Sequence, residues 1–275
     1  PYRRQRQMCI RDRYKGTNAS DGIGIGTAVI VEEAELIITR REVNDTEAEV
    51  QRFKGALETT IAETQKMAED LAARVGEKEA EIMQGHMMLL SDPMLTGEIE
   101  NSIQNDKVNS EFAIENVCNM YADMFASMGD ELMQQRATDM RDIKVRMQRT
   151  LMGLQSVDVS ALPAGTILVA KDLTPSMTAG INPANVTGIV TELGGRTSHS
   201  AILARALEIP AVVAVNGLLD EVKDGDTVVL DGSAGEVYVN PEAEVKAAYE
   251  AKREQFLMDK KELETFIKNG IESTR

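Results

Sequence analysis

The 275 residues contain two histidines, His86 and His199, and only one has neighbours that could do chemistry with it. His199 lies in the run Gly194-Gly195-Arg196-Thr197-Ser198-His199-Ser200, between a β-branched stretch (GIVTEL) and an amphipathic one (AILARALE). A glycine pair at such a place permits a tight turn and close approach of a ligand to the backbone. Thr197 or Ser198 is placed to N-cap the helix that follows. The first N–H groups of that helix, at the positive end of its dipole, favour a phosphate, and Arg196 adds a charge-assisted donor. A neutral imidazole there has one ring nitrogen free to attack phosphorus. A lone histidine at a helix start is usually padding or a cap. The glycines, hydroxyls and arginine on a strand–turn–helix favour phosphoryl chemistry instead. His86, within MQGHMMLL, has no such company and reads as a structural or supporting histidine.

The elements that must position His199 alternate in character along the chain. TAVIV and ELIIT read as strands, with the glycines of GIGIG as a turn before them. GIGIG invites comparison with a dinucleotide loop, but that motif opens a helix and here a strand follows. From about Val43 to Leu154 the text is charged and helical. Val50, Phe53, Leu57, Ile61, Ala68, Leu71 and Val75 recur on one helical face. A second helix is expected from Glu77 to Leu90, and a third where Asp92 can N-cap with Pro93 at the first position. Phe112 to Leu132 and Met140 to Leu151 line two more, the last closed by Gly153. Such helices on short turns make a bundle. Strand signals then return in TILVA, VTGIVTE, AVVAV, DTVVL and EVYVN, an α/β pattern with one helix among them.

The formal charge of −15 argues against a nucleic-acid partner and fits attraction to a basic protein face. Cys9 and Cys118 are too few for a disulfide framework or a metal cluster, and no apolar run reaches membrane-spanning length. A cytoplasmic protein without a bound metal is expected. Residues 1–13 hold five arginines ahead of an acidic chain and are read as a non-native or disordered extension outside the fold.

The stretch LGGRTSHSAILARALEIPAVV resembles the active-site signature of the phosphoenolpyruvate-utilising enzymes. ASDGIGIGTA, GEKEAEIMQGHMMLLSDPML, RATDMRDIKVRM, VAKDLTPSMTA and GEVYVNP resemble pieces of enzyme I of the sugar phosphotransferase system, in order. The resemblance implies an α/β phosphohistidine (swivelling) domain over 14–42 and 154–240. A helical domain at 43–153 is inserted in it, and a linker helix at 241–275 leads toward a phosphoenolpyruvate-binding domain that this chain has no room for. It implies that His199 carries the phosphoryl group and that the Thr178 hydroxyl orients its ring, with Gly194, Gly195, Arg196, Thr197 and Ser198 around the phosphate. It also implies that Glu77, Lys78, Ile82, Met83, Met88, Leu89, Leu95 and Arg136 dock the small phosphocarrier HPr. The family's Mg²⁺ belongs to the full-length enzyme, which is expected to be a homodimer, and this portion a monomer. Ser200 stands where the family more often has Thr, and Ala214 where a Gly often follows PAVV. The alternatives are the phosphohistidine domain of a pyruvate-phosphate dikinase or phosphoenolpyruvate synthase, and a non-catalytic helical interaction protein.

Overall fold

A computed structural model of the protein describes residues 13–272, with side chains to residue 267. Two compact units result, one formed by residues up to Val31, Ala161–Leu173 and the chain from Asn182, the other by Glu32–Ser160 and Thr174–Ile181. The expected architecture is present: an α/β unit whose chain is interrupted by a helical bundle and ends on a long helix.

The α/β unit is built on one sheet of eight strands: β1 (Arg13–Lys15), β2 (Thr17–Ser20), β3 (Ile23–Ile30), β4 (Thr166–Ala170), β5 (Val186–Thr191), β6 (Ala211–Val213), β7 (Thr227–Asp231) and β8 (Glu236–Val239). Their order is β1-β8-β7-β3-β4-β5-β6-β2. β3, β4, β5 and β6 pair in parallel, and the remaining pairs are antiparallel. β1 and β2 lie on opposite edges yet are joined by Gly16 alone, so the sheet curls until its edges meet there. A Cβ on Gly16 would stand 2.5 Å from the Val213 carbonyl oxygen, which excludes any side chain at the closure. Buried strands read as continuous apolar runs, and Ile167, Val169, Val190, Val212, Val228, Leu230 and Val237 form this core.

Two helices belong to this unit, α7 (His199–Ala206) and α8 (Ala243–Glu272). The first half of α8 is tied to the sheet. Lys252 pairs with the fully buried Asp231, and Tyr249 meets Tyr238 and Glu236 through hydrogen bonds of 3.2 and 3.4 Å.

The helical unit holds α1 (Thr46–Val75), α2 (Glu77–Leu90), α3 (Pro93–Asp106), α4 (Ser110–Ser127), α5 (Glu131–Met152) and the short α6 (Pro175–Ala179). Asp92 caps α3 through the Met94 N–H with Pro93 in the first turn, and Gly153, at φ 67°, closes α5. Phe53, Leu90, Leu95, Ile99, Ile103, Ile114, Met140, Ile143 and Met147 fill the core. Burial pushes the Cys118 thiol up to about 12, which leaves it protonated and inert.

Several local expectations change. ELIIT is not a strand. Its neighbourhood makes one bridge, Glu42 to Val108, flanked by Asn109 N–H to Arg41 carbonyl (3.1 Å) and Val43 N–H to Lys107 carbonyl (2.9 Å). A β-branched run without a partner ladder cannot become a strand, and Ile37 is left 85% exposed. GIGIG is strand rather than turn: Gly24 and Gly26 sit inside β3, opposite Leu230 and Val228. A Cβ on Gly24 would lie 2.7 Å from the Thr187 carbonyl oxygen, so close packing explains that glycine. Leu132 belongs to α5 rather than to the helix before it. Residues 32–42, 154–160 and 174–181 group with the helices instead of with the sheet. The arginine-rich stretch 1–12 lies outside the described residues, whereas Arg13 opens β1 opposite Tyr238.

Candidate functional site

His199 is the first residue of α7, at the carboxyl ends of parallel strands β4, β5 and β6. Ligands of open α/β sheets bind at such an edge. Ser198, at φ −64° and ψ 154°, is the N-cap, and its hydroxyl accepts from the Ala201 N–H at 3.3 Å. The same hydroxyl donates to the Gly195 carbonyl at 2.8 Å and lies 2.9 Å from the Ser200 hydroxyl. The cap thus takes one of the first helix amides and ties the turn to itself.

Gly194 adopts φ 98°, where side chains are disfavoured. Gly195 has no such constraint, and a Cβ there would meet nothing within 4 Å. The second glycine faces open space, which fits backbone approach by a ligand better than turn geometry. Arg196 and Thr197 are exposed, and the Arg196 carbonyl is held by Arg205, 3.0 Å from its guanidinium nitrogen. Both side chains therefore sit on a backbone anchored from within the unit. His199 itself is 8% exposed, so its ring is largely walled by protein.

One charged neighbour was not singled out from the sequence. Lys171 and Ala170 carbonyls accept from Leu193 and Glu192 N–H groups at 2.9 and 3.1 Å, which lays the turn after β4 beside the turn before His199. Asp172 is on that turn. Loss of water around it raises its carboxyl above the usual range, against the Leu173 N–H and the nearby His199, which lower it. Parallel pairing of β4 and β5 was the signal that could have found it.

Thr178 lies on α6, in the helical unit, fully buried. Its hydroxyl donates to the Thr174 carbonyl at 2.8 Å. With its one proton committed, the oxygen can still accept from an N–H.

The eight residues expected to dock a partner divide. Glu77, Lys78 and Met88 are exposed, and Ile82, Leu89 and Arg136 are half-buried. Met83 and Leu95 are core residues, 0% and 2% exposed, and their side chains cannot touch a partner. Periodicity could not separate them, because the Met/Leu cluster wraps more than one face of α2 and only packing decides which side turns inward. Met94, absent from the expected set, is 69% exposed in the first turn of α3, close in sequence to Met88 at 70% in the last turn of α2. His86 is fully buried, with Nε2 3.1 Å from Asp139 Oδ1. Among the described residues no three His, Cys, Asp or Glu side chains converge to hold a metal ion.

Comparison with known proteins places this arrangement in a class. Residues 15–136 match the family described as PEP-utilising enzyme, N-terminal, and residues 162–235 match PEP-utilising enzyme, mobile domain. The chain belongs to the PEP-utilising enzyme family. Within it, the similarity runs to Enzyme I. An NMR solution structure of Enzyme I (nEIt) superimposes with a TM-score of 0.76 at 39% identity, over 88% of this chain and 99% of that one. The N-terminal domain of Enzyme 1 - Nitrogen gives 0.56 at 26% identity, over 86% and 98%. The phosphoenolpyruvate-protein phosphotransferase of Staphylococcus carnosus is 42% identical over 250 residues, 91% of this chain and 44% of that protein. That of Bacillus subtilis is 41% identical over 248 residues, 90% and 44%. The chain spans less than half the length of these curated relatives.

Proposed function

We propose that this chain is the phosphohistidine-carrying portion of a phosphoenolpyruvate-protein phosphotransferase, with His199 as the acceptor. The carrying observation is His199 at a Ser198-capped helix start, beyond the Gly194 turn, on the carboxyl edge of the parallel strands. In the forward reaction the lone pair of one imidazole nitrogen attacks phosphorus, and the P–O bond to the enolate of pyruvate breaks. A His nitrogen of HPr then attacks the same phosphorus, and the N–P bond to His199 breaks. Catalysis of such a transfer is chiefly positioning and electrostatic stabilisation. Arg196 and the start of α7 stabilise the phosphoryl oxygens. Thr178, whose own hydroxyl proton goes to the Thr174 carbonyl, is assigned on the family resemblance alone the part of fixing the tautomer of His199.

Glu77, Lys78, Ile82, Met88, Leu89 and Arg136 form the docking face for HPr, with Met94 added and Met83 and Leu95 removed. The phosphoenolpyruvate site and its Mg²⁺ are assigned, on the family resemblance, to the part of the longer relatives that this chain does not span. No described helix is long and apolar enough to cross a membrane, and the reaction with HPr is placed in the cytoplasm. The portion acts as a monomer, and dimerisation is left to the full-length enzyme. The relatives are named phosphotransferases, which favours this reading over a dikinase, a synthase or a non-catalytic interaction protein.

The test is incubation with ³²P-labelled phospho-HPr. The wild-type chain should take up about one acid-labile phosphoryl group, and His199→Ala none while keeping its circular dichroism. Label on the His199→Ala protein would place the phosphoryl group elsewhere and end the assignment.

A further inference from the structure

The His199 ring changes charge in every phosphoryl transfer. A neutral imidazole attacks phosphorus with one nitrogen while the other keeps its N–H, so the ring is cationic once the N–P bond has formed. It returns to neutral when that bond breaks and the phosphoryl group leaves for the partner histidine. Arg196 and the start of α7 meet the phosphoryl oxygens, but neither can favour positive charge on the ring. A nearby anion can.

The sheet supplies one. β4 and β5 run in parallel with Ala170 opposite Thr191, so the turns that leave their carboxyl ends start side by side. Hydrogen bonds from the Glu192 N–H to the Ala170 carbonyl (3.1 Å) and from the Leu193 N–H to the Lys171 carbonyl (2.9 Å) lock them together. Asp172 is the next residue on one turn, and the other runs through Gly194 to His199. Asp172 Oδ1 accepts from the Leu173 N–H at 2.8 Å, and the second oxygen takes no hydrogen bond among the described residues. The carboxylate and the His199 ring interact electrostatically.

The surrounding charges leave this part to Asp172. Glu192, on the neighbouring turn, uses its carboxylate on the Leu219 N–H at 2.9 Å. Arg205, on α7, is spent on the Ala19 and Arg196 carbonyls at 2.9 and 3.0 Å. β2 and β6, which pack against α7, carry no titratable side chain. Lys171 and Arg196 are exposed and of the opposite sign.

We propose that Asp172 is a positioning residue for phosphoryl transfer, its carboxylate stabilising the positive charge that the His199 ring carries while it is phosphorylated. This rests on the reading of His199 as the acceptor. Asp172 touches neither phosphorus nor the ring of the incoming histidine, and it acts through His199.

The experiment compares wild type, Asp172→Asn and Asp172→Glu in single-turnover transfer from phospho-HPr and in an NMR titration of the unphosphorylated histidines. The side-chain amide oxygen of Asp172→Asn still accepts from the Leu173 N–H, so the turn is kept and only the charge is removed. Asp172→Asn should transfer roughly 3- to 30-fold more slowly within the complex, with HPr affinity changed less than about twofold. Its His199 should titrate lower than in wild type by about 0.5 or more on the pH scale, because an anion favours the imidazolium. His86, the second histidine, should not move. Asp172→Glu, which keeps the charge, should lie nearer wild type in both readings. A wild-type rate or an unmoved His199 titration in Asp172→Asn would each overturn the proposal. So would faster transfer, which would mean that the carboxylate chiefly repels the phosphoryl group, or an Asp172→Glu variant no better than Asp172→Asn. A wild-type chain that takes no label from phospho-HPr would instead refute the carrier function.

Discussion

Ala214 adopts φ 57°, in the left-handed region, just after β6. The family resemblance had marked this position as one where glycine often stands, and the backbone supplies the reason. An L-residue there costs about 1–2 kcal/mol, and the larger unfolded-state entropy of glycine returns part of any gain. Ala214→Gly should therefore stabilise the protein by about 0.5–1 kcal/mol, read as a higher urea midpoint at unchanged m-value. An equal or lower midpoint would show that the strain is relieved locally. Residues close in sequence to their partners were the legible ones: Ser198 was recognisable as a cap because hydroxyl, histidine and amphipathic run adjoin. Asp142 and Arg74, which hold the two ends of α6, were not, since the groups they bind lie 34 and about 105 residues away. Met83 and Leu95 misled for a related reason, because a side chain's apolar character says nothing about which neighbour covers it.

The elements show the same division between local and distant information. α2 could be bounded, and the start of α3 placed, from the sequence because those limits are set locally, by Gly76, Asp92 and Pro93. ELIIT could not be settled, since a strand exists only with a partner. The joint between α1 and α4 also depends on distant pairing. Arg52 grips the Glu111 carboxylate, with one bond of 3.2 Å, and also donates to the Leu151 carbonyl at 3.0 Å. Burial opposes ionisation of Glu111, but hydrogen bonds from Arg52, its own backbone N–H and Asn109 prevail and hold it at about 2 instead of 4.5. A carboxyl with a lowered folded value contributes stability that is complete above about 4.5 and lost as pH falls toward about 2. Arg52→Ala should cost roughly 2–4 kcal/mol at neutral pH by stranding a buried carboxylate. It should also flatten the loss of stability between pH 4.5 and 2, because that loss is the bond being protonated away. A variant with the wild-type slope in acid urea titrations would place the acid sensitivity elsewhere.

For the whole molecule, the interrupted domain was recognisable because strand-like text gives way to long helical text at about Val43 and returns after Leu154 in TILVA. The return of residues 174–181 to the helices was not, since that placement rests on Asp142 and Arg74 gripping a five-residue helix. Charge is the other property of the whole chain. At −15 the protein sets up a field that attracts a basic partner and repels an acidic one. The proposed docking face includes Glu77 on α2 and the exposed Met88 and Met94, so the field of the whole chain guides the approach and apolar contact holds the complex. The Debye length falls from about 10 Å at 0.1 M to about 3 Å at 1 M salt. Raising salt from about 0.05 to 0.5 M should therefore slow association with HPr by about tenfold or more in stopped-flow mixing, while dissociation changes less than about twofold. Met88→Ala should do the reverse, leaving the salt dependence of association intact and speeding dissociation, because it removes contact without removing charge. An association rate indifferent to salt, with a dissociation rate indifferent to Met88, would move the partner to another face of the molecule.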